Sequence, residues 1–85
     1  MTDKQFPEII IADLAKNNRE IVRVSLGEYE GTPTIGAWRY YRDASGTMRP
    51  GKGGLILGIR HLPALAAALA KALEAARDGG RLPPA

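Results

Sequence analysis

Aromatic and basic side chains are concentrated in the middle of the chain, between residues 21 and 57. Aromatic rings stack on nucleobases and cations pair with phosphates, so a β-sheet surface that carries both is typical of a platform for single-stranded nucleic acid. The candidate binding residues are Arg23, Tyr29, Trp38, Arg39, Tyr41, Arg42, Arg49 and Lys52. Such a surface predicts binding by stacking and phosphate capture.

Three of the rings, Trp38, Tyr40 and Tyr41, lie within four residues of one predicted strand. Aromatic residues favour strands and fill cores, so core packing is the competing interpretation for each ring taken alone. Neighbouring residues of a strand point to opposite faces, however, so all three rings cannot enter the same core. The sequence leaves open which of Tyr40 and Tyr41 faces a ligand.

Length and composition predict one small domain. The chain has 85 residues, 12 lysines and arginines against nine acidic residues, and no cysteine. A chain of this size has a marginal core, and without disulfides or thiolate metal sites a second copy is the usual source of further buried area. Between residues 19 and 60, seven basic residues face four acidic ones, a mild bias towards polyanions.

No catalytic or metal-binding constellation is present in the sequence, which predicts a protein that is not an enzyme and has no cofactor. The glycine-rich segment around Lys52 lacks the spacing and the following serine or threonine of a phosphate loop, and it precedes a strand. His61 is the only histidine and has no cluster of further donors beside it. Glu28 and Glu30 are interpreted as solvated turn residues.

Alternating apolar residues predict the strands. Val22, Val24 and Leu26 share one face of a strand, and parity places Ile35 with them on the next strand, at residues 34–42. Arg39 would then also point to the core, so we expect a β-bulge near it that swaps the faces beyond. Two shorter strands are predicted at residues 47–52 and 55–57, and an additional short strand within residues 8–15.

A C-terminal helix is indicated by leucines at spacings of three and four residues. These are Leu62, Leu65, Leu69 and Leu73, and alanines widen the stripe. The stripe predicts either packing on the sheet or a helix-mediated dimer interface. We divide the chain into an N-terminal leader (1–20), a binding domain (21–78) and a flexible tail (79–85). No signal peptide or membrane-spanning run is recognised, which predicts a cytoplasmic, nucleoid-associated protein.

Residues 21–57 resemble the single-stranded-DNA-binding domain of the transcriptional coactivator positive cofactor four family, in its short bacterial form. The resemblance is carried in order by residues 22–26, 29–31, 35–41, Asp43 with Gly46, 48–52 and 54–57. It implies a fold of class α+β, a curved four-stranded antiparallel β-sheet followed by a C-terminal α-helix. It further implies a homodimer, formed through the helix and sheet, that binds single-stranded DNA with little sequence preference.

The resemblance also implies roles for individual residues. Tyr29 matches a DNA-contacting ring in the first hairpin, Tyr41 an aromatic residue near the end of the second strand, and Lys52 a basic residue before the last strand. Three positions depart from the family: Glu30 stands where lysine is frequent, Trp38 where arginine is usual and Gly53 where a second lysine is common.

Our sequence-based hypothesis is a non-catalytic, dimeric single-stranded-DNA-binding protein that acts in transcription regulation or DNA metabolism, with the transcription machinery as a possible partner. Two alternatives remain at this point. The chain could be a protein-interaction module of the same fold with weak nucleic-acid binding, or RNA could be its main ligand, because stacking and phosphate contacts do not read the sugar.

Overall fold

The computed structural model describes residues 7–83, and the first six and last two residues of the predicted leader and tail lie outside this range. Four strands precede a single-turn 3₁₀ helix, Ile59–His61, and the α-helix α1, Leu62–Asp78. The strands are β1 (Ile9–Ala15), β2 (Glu20–Tyr29), β3 (Thr32–Arg42) and β4 (Met48–Gly58). The predicted four-stranded antiparallel sheet followed by a C-terminal helix is confirmed.

The sheet is a simple meander in the order β1-β2-β3-β4, and every neighbouring pair is antiparallel. The β2–β3 pair is unbroken, from Glu20 opposite Tyr41 to Tyr29 opposite Thr32. Continuous pairing over ten positions fixes which side chains share a face, because directly opposed residues project to the same side. This central hairpin therefore positions the candidate site.

Two of the predicted short strands are a single strand in the structure. Residues 47–52 and 55–57 were expected to be separate, but both fall within β4, which runs from Met48 to Gly58 as an edge strand. An edge position tolerates Pro50, whose nitrogen cannot donate to a neighbouring strand. The fourth strand of the sheet is instead β1, which pairs with β2 from Ile9 opposite Leu26 onward.

The bulge expected near Arg39 lies on the partner strand, so the expected swap of faces on β3 is wrong. Arg39 stays in register opposite Val22, and the irregularity is in β4, where three residues between Pro50 and Gly54 oppose Arg39 alone. Gly53 and Gly54 have φ values of 105° and 153°, which an ordinary side chain rarely adopts. The extra residues therefore lie in β4, where glycines adopt these φ values readily, and not in β3.

Tight turns connect the strands. Glu30 and Gly31 both have positive φ, 50° and 83°, as a two-residue hairpin of type I′ requires. In the β3–β4 turn, one carboxylate oxygen of Asp43 accepts hydrogen bonds from the backbone N–H groups of Ser45 and Thr47, both within 3.0 Å. Such side-chain-to-backbone bonds replace the missing partners of a turn.

The described chain encloses almost no core of its own. Ile35 is 6% exposed and is the one buried apolar residue between positions 7 and 83. Contacts between the C-terminal elements and the sheet run mainly through the 3₁₀ turn against β3. On α1, Leu69 and Leu73 remain 60% and 47% exposed. No helix within the described range is long and apolar enough to cross a membrane.

Candidate nucleic-acid interface

Strand pairing divides the predicted binding residues between the two faces of the sheet. The face that we call the aromatic face carries Arg23, Ser25, Gly36, Trp38, Tyr40 and Ile56, which are linked by the β2–β3 and β3–β4 registers. The opposite face, which we call the apolar face, carries Val22, Val24, Leu26, Ile35, Ala37 and Leu57. Arg39 and Tyr41 continue the apolar face towards the end of β3.

A broad cleft of about 580 Å³ lies on the aromatic face. Trp38, Tyr40 and Pro50 supply its large side chains, and Gly27 and Gly36 supply no side chain at all. Glycines beside aromatic rings leave an open surface on which a flat ring could lie. Two glutamates, Glu8 and Glu28, also line the cleft. The charge of Glu8 disfavours phosphates, whereas the Glu28 carboxylate accepts a hydrogen bond from the backbone N–H of Gly31 in the β2–β3 turn.

Trp38 is held in place by the β4 bulge. Its indole Nε1–H donates a 2.9 Å hydrogen bond to the carbonyl of Gly51. The ring packs so closely on Gly54 that a Cβ atom at that position would lie 2.5 Å from Cε3 and 2.7 Å from Cδ2 of the indole. The bulge therefore fixes the ring in one orientation, which lowers the entropy cost of stacking a base on it.

Arg23 lies directly opposite Trp38 on the aromatic face. Its guanidinium carbon is 4.6 Å from the centroid of the Tyr40 ring, a cation–π distance. Its Nε and Nη2 groups donate hydrogen bonds of 2.8 and 3.1 Å to the two carboxylate oxygens of Asp13 on β1. This pairing raises the pKa of Arg23 and lowers the pKa of Asp13.

A second group, which we call the basic corner, consists of Arg39, Tyr41, Arg49 and Lys52. Arg39 and Tyr41 project from the apolar face, and Lys52 lies in the β4 bulge beside them. Arg39 donates to Glu20 at 2.6 Å and to the carbonyl of Lys52. These contacts explain how an arginine is accommodated on the side of the sheet that holds Ile35.

Glu20 has an unusually acidic carboxyl group as a result. Hydrogen bonds from the Asn17 amide, then from Arg39 and Lys16, lower its pKa from 4.5 to about 2. Asp43 behaves similarly, because a hydrogen bond from Arg49, helped by Ser45, holds the pKa of its carboxyl well below the usual range. Arg49 is therefore engaged within the β3–β4 turn.

The remaining two candidates lie towards opposite ends of the sheet. Arg42 ends β3 and donates a 3.1 Å hydrogen bond to the carbonyl of Gly46 in the turn. Tyr29 is 67% exposed at the opposite end of the sheet, where it pairs with Thr32. From Thr32 to Tyr41 the strand advances about 30 Å, so Tyr29 and Tyr41 cannot contact the same base within one protomer.

The structure thus brings Arg23 and Trp38 together, gathers Arg39, Tyr41, Arg49 and Lys52 at the basic corner, and separates Tyr29 from both. Two residues of the aromatic face were absent from the sequence-based set. Tyr40 could have been found by keeping strict alternation along β3, since it shares parity with Trp38. Asp13 carries no local signal, because its role depends on the register between β1 and β2. Among the described residues, no group of three or more potential ligands could hold a metal ion.

Compared with models of known protein families, the chain matches none, and it matches no curated protein either. Solved structures do match. A PC4 homologue from Burkholderia pseudomallei, in a tetragonal crystal form, has a TM-score of 0.69 and 23% sequence identity, over 78% of this chain and 97% of that one. The orthorhombic form of the same protein has a TM-score of 0.69 and 22% identity, over 85% and 93% of the two chains.

A third match is the bacteriophage T5 homologue of the eukaryotic transcription coactivator PC4, described as implicated in recombination-dependent DNA replication. Its TM-score is 0.69 at 20% identity, over 85% of this chain and 83% of that one. Identities this low establish similarity of fold. The chain has the fold of the PC4 homologues, and the resemblance predicted from residues 21–57 is confirmed at that level.

Proposed function

We propose that the protein binds single-stranded DNA on the aromatic face of its sheet, without catalysis and with little sequence preference. The observation that carries this proposal is the adjacency of Trp38, Tyr40 and Arg23 over a glycine-lined cleft, in a fold shared with PC4 homologues. Two rings offer stacking surfaces, and base–aromatic stacking contributes about 1–3 kcal/mol per base. Regulation of transcription or DNA metabolism is the role that fits such a module.

In this proposal the cations act along the edges of the aromatic face. Arg42 at the end of β3 can follow a phosphate backbone whose bases enter the cleft, and Lys52 can meet the same backbone from the basic corner. Tyr29 would contact a more distant nucleotide, because it lies at the other end of the sheet. Arg39, Tyr41 and Arg49, the other predicted contacts, support binding from the basic corner, where a strand would leave the sheet.

A homodimer belongs to the proposal because a single protomer leaves its apolar surfaces uncovered. Ile35 alone is buried in the described range, whereas Leu55, Leu69 and Leu73 are 41–60% exposed. The Cα radius of gyration is 15.6 Å, compared with about 12 Å for a compact chain of this length. A second copy that packs against α1, with the stripe from Leu62 to Leu73 at its centre, would supply the missing core.

The DNA-binding proposal is tested by titration with oligothymidine at low salt. Trp38 is the only tryptophan, so quenching of the intrinsic fluorescence reports directly on the aromatic face. We expect quenching, a mobility shift and an affinity that falls as salt rises, with a slope of about 0.7 per phosphate contacted. Absence of both quenching and a mobility shift would refute the proposal. Competition between matched DNA and RNA oligonucleotides decides which sugar is preferred.

The dimer is tested by sedimentation equilibrium of the wild-type chain and of two charge variants of α1. Leu69→Glu places a carboxylate in the exposed leucine stripe, and Lys71→Glu makes a charge change on the other side of the helix as the control. We expect the first variant to dissociate and to lose stability, while the second retains the wild-type mass. A monomeric, stably folded wild-type chain would contradict the dimer.

A weak-binding interaction module is the second candidate, and the ion pairs favour it. Arg23, Arg39 and Arg49 are each paired with a carboxylate, so fewer cations are available to phosphates than the sequence suggests. Replacing Glu30 by lysine, the residue frequent in the family, then creates binding that the native chain lacks. Lysine at position 53 is a poorer test, because the φ of 105° there strains any side chain.

A further inference from the structure

The Asp13 carboxylate binds the guanidinium of Arg23 through the same N–H groups that a phosphate would use. The two carboxylate oxygens of Asp13 accept hydrogen bonds from Nε and Nη2 of Arg23, at 2.8 and 3.1 Å. This two-pronged geometry is the one in which arginine recognises both carboxylates and phosphates. The same guanidinium edge cannot serve Asp13 and a phosphate together, so the two ligands compete.

The position of Arg23 makes this competition matter for the aromatic face. Arg23 is directly opposite Trp38, and its guanidinium lies against the Tyr40 ring. Both side chains of the ion pair remain accessible, at 20% exposure for Arg23 and 40% for Asp13, so a phosphate can reach the pair without unfolding the sheet. A base stacked on either ring would bring its own phosphate close to Arg23.

The strand that carries Asp13 is suited to a displaceable contact. Asp13 is opposite Arg23 in the β1–β2 register, and β1 is an edge strand in which all seven residues are exposed. A bulge at Ile11 interrupts the pairing two residues before Asp13. The carboxylate therefore comes from the least buried strand of the sheet, while Arg23 comes from a central one.

From these contacts we propose that Asp13 is an internal competitor of the nucleic-acid backbone, a phosphate mimic that lowers the affinity of the aromatic face by occupying Arg23. This inference rests on the proposed function, because it assigns a regulator to the same site. While the Asp13–Arg23 pair persists, a bound strand makes one phosphate contact fewer, and loss of the carboxylate frees the Arg23 guanidinium for a phosphate. Asp13 thus sets how many phosphates the wild-type face neutralises.

Oligothymidine titrations of the full chain at several salt concentrations test the proposal. Asp13→Asn keeps the shape but loses the charge that holds Arg23, and Asp13→Thr is a second variant with high strand propensity for an edge position. Asp78→Asn, at the end of α1, is the charge-matched control. Double variants with Arg23→Gln show whether any gain in affinity passes through Arg23.

We expect both Asp13 variants to bind about two- to fivefold more tightly than wild type at low salt, the range for one further solvent-accessible ion pair. The slope of log affinity against log salt should steepen by about 0.7, which corresponds to one more phosphate contact on a single strand. Adding Arg23→Gln should abolish both gains, and Asp78→Asn should change neither slope nor affinity by more than its general charge effect.

The outcomes separate this inference from the proposed function. If wild type binds and the Asp13 variants match the Asp78 control, the competitor is refuted while the binding function stands. Tighter binding that persists after Arg23→Gln would also refute it, because the gain would come from general charge. If wild type and all Asp13 variants fail to bind, the proposed function and the inference fall together. Circular dichroism verifies that each variant is folded.

Discussion

The two faces of this sheet come from the same strands and differ in what their side chains leave open. The apolar face carries branched aliphatic residues such as Val24 and Leu26 beside the buried Ile35. On the aromatic face, glycines lie beside aromatic rings, so an open cleft remains between the larger side chains. One face leaves aliphatic side chains to be covered by another surface, and the other keeps an open cleft.

The ion pairs repeat this difference. On the aromatic face Asp13 holds Arg23 beside two rings, whereas at the basic corner Glu20 holds Arg39 against the bulge and thereby allows an arginine to lie beside apolar residues. The Asp13–Arg23 pair restrains a guanidinium that could bind a ligand. The Glu20–Arg39 pair gives Arg39 a hydrogen-bond partner where it lies beside apolar residues. The same chemistry therefore has a different consequence on each face.

The largest expected effect is the difference in stability between two Ile→Ala variants, one on each face of the sheet. Ile35→Ala removes the one buried apolar side chain of the described range and should destabilise the protein by about 2–5 kcal/mol. Ile56→Ala, on the aromatic face, removes a side chain that is 57% exposed and should cost about 1 kcal/mol or less. Urea denaturation at equal protein concentration measures both. Equal losses would contradict the division of the sheet into a packed and an open face.

The next effect tests whether the bulge fixes the ring of the aromatic face. A Cβ at Gly54 would lie 2.8 Å from the carbonyl oxygen of Ala37 as well as against the indole, so Gly54→Ala should cost about 2–4 kcal/mol through overpacking and strain. Gly53→Ala meets nothing within 4 Å and carries only the strain of its φ of 105°, about 1 kcal/mol. Urea denaturation compares the two. Gly54→Ala should also shift the Trp38 emission, and a variant with native stability and emission would show that the ring is not held there.

The faces should also separate in binding. If bases stack on the aromatic face, Tyr40→Leu should weaken oligothymidine binding by about 1–3 kcal/mol. Tyr41→Leu removes the neighbouring ring from the basic corner and should have a smaller effect, because Tyr41 projects from the other side of the sheet. Fluorescence titration of both variants provides the comparison. A larger loss for Tyr41 would place the ligand at the basic corner instead.

Much of the fold could be predicted because periodicity is a local property. The alternation of Val22, Val24 and Leu26 fixed one face of β2, and the leucine spacing located the helix, whose observed limits are Leu62 and Asp78. Each of these features depends on residues a few positions apart.

The site was harder to predict because its contacts depend on register between strands. Tyr40 shares a face with Trp38 because the bulge lies in β4 and not in β3. Arg39 was the reason to expect a bulge in β3, but the glycines of β4 accommodate the extra residues instead. The pairing of Asp13 with Arg23 joins residues ten positions apart through a strand that the sequence left as an optional addition. No single-strand pattern encodes such a contact.

The smallest expected effect concerns pH and the basic corner. Hydrogen bonds from Asn17, Arg39 and Lys16 lower the pKa of Glu20 from 4.5 to about 2 in the folded chain. A carboxylate whose folded pKa is depressed stabilises the fold above its unfolded pKa, and that stabilisation is lost as pH falls through the folded value. The wild-type melting temperature should therefore decline between about pH 4.5 and pH 2.

Glu20→Gln should flatten part of that decline, because glutamine has no proton to take up. The rest should persist, since the pKa values of Asp13 and Asp43 are lowered as well, by Arg23 and Arg49. The effect should be modest because solvent screens exposed pairs. Thermal melts across this pH range, with Glu74→Gln on α1 as the charge-matched control, measure it. If Glu20→Gln melts with the wild-type pH profile, then the Glu20–Arg39 pair does not hold the basic corner together, and Arg39 must be retained there by its hydrogen bonds to the bulge alone.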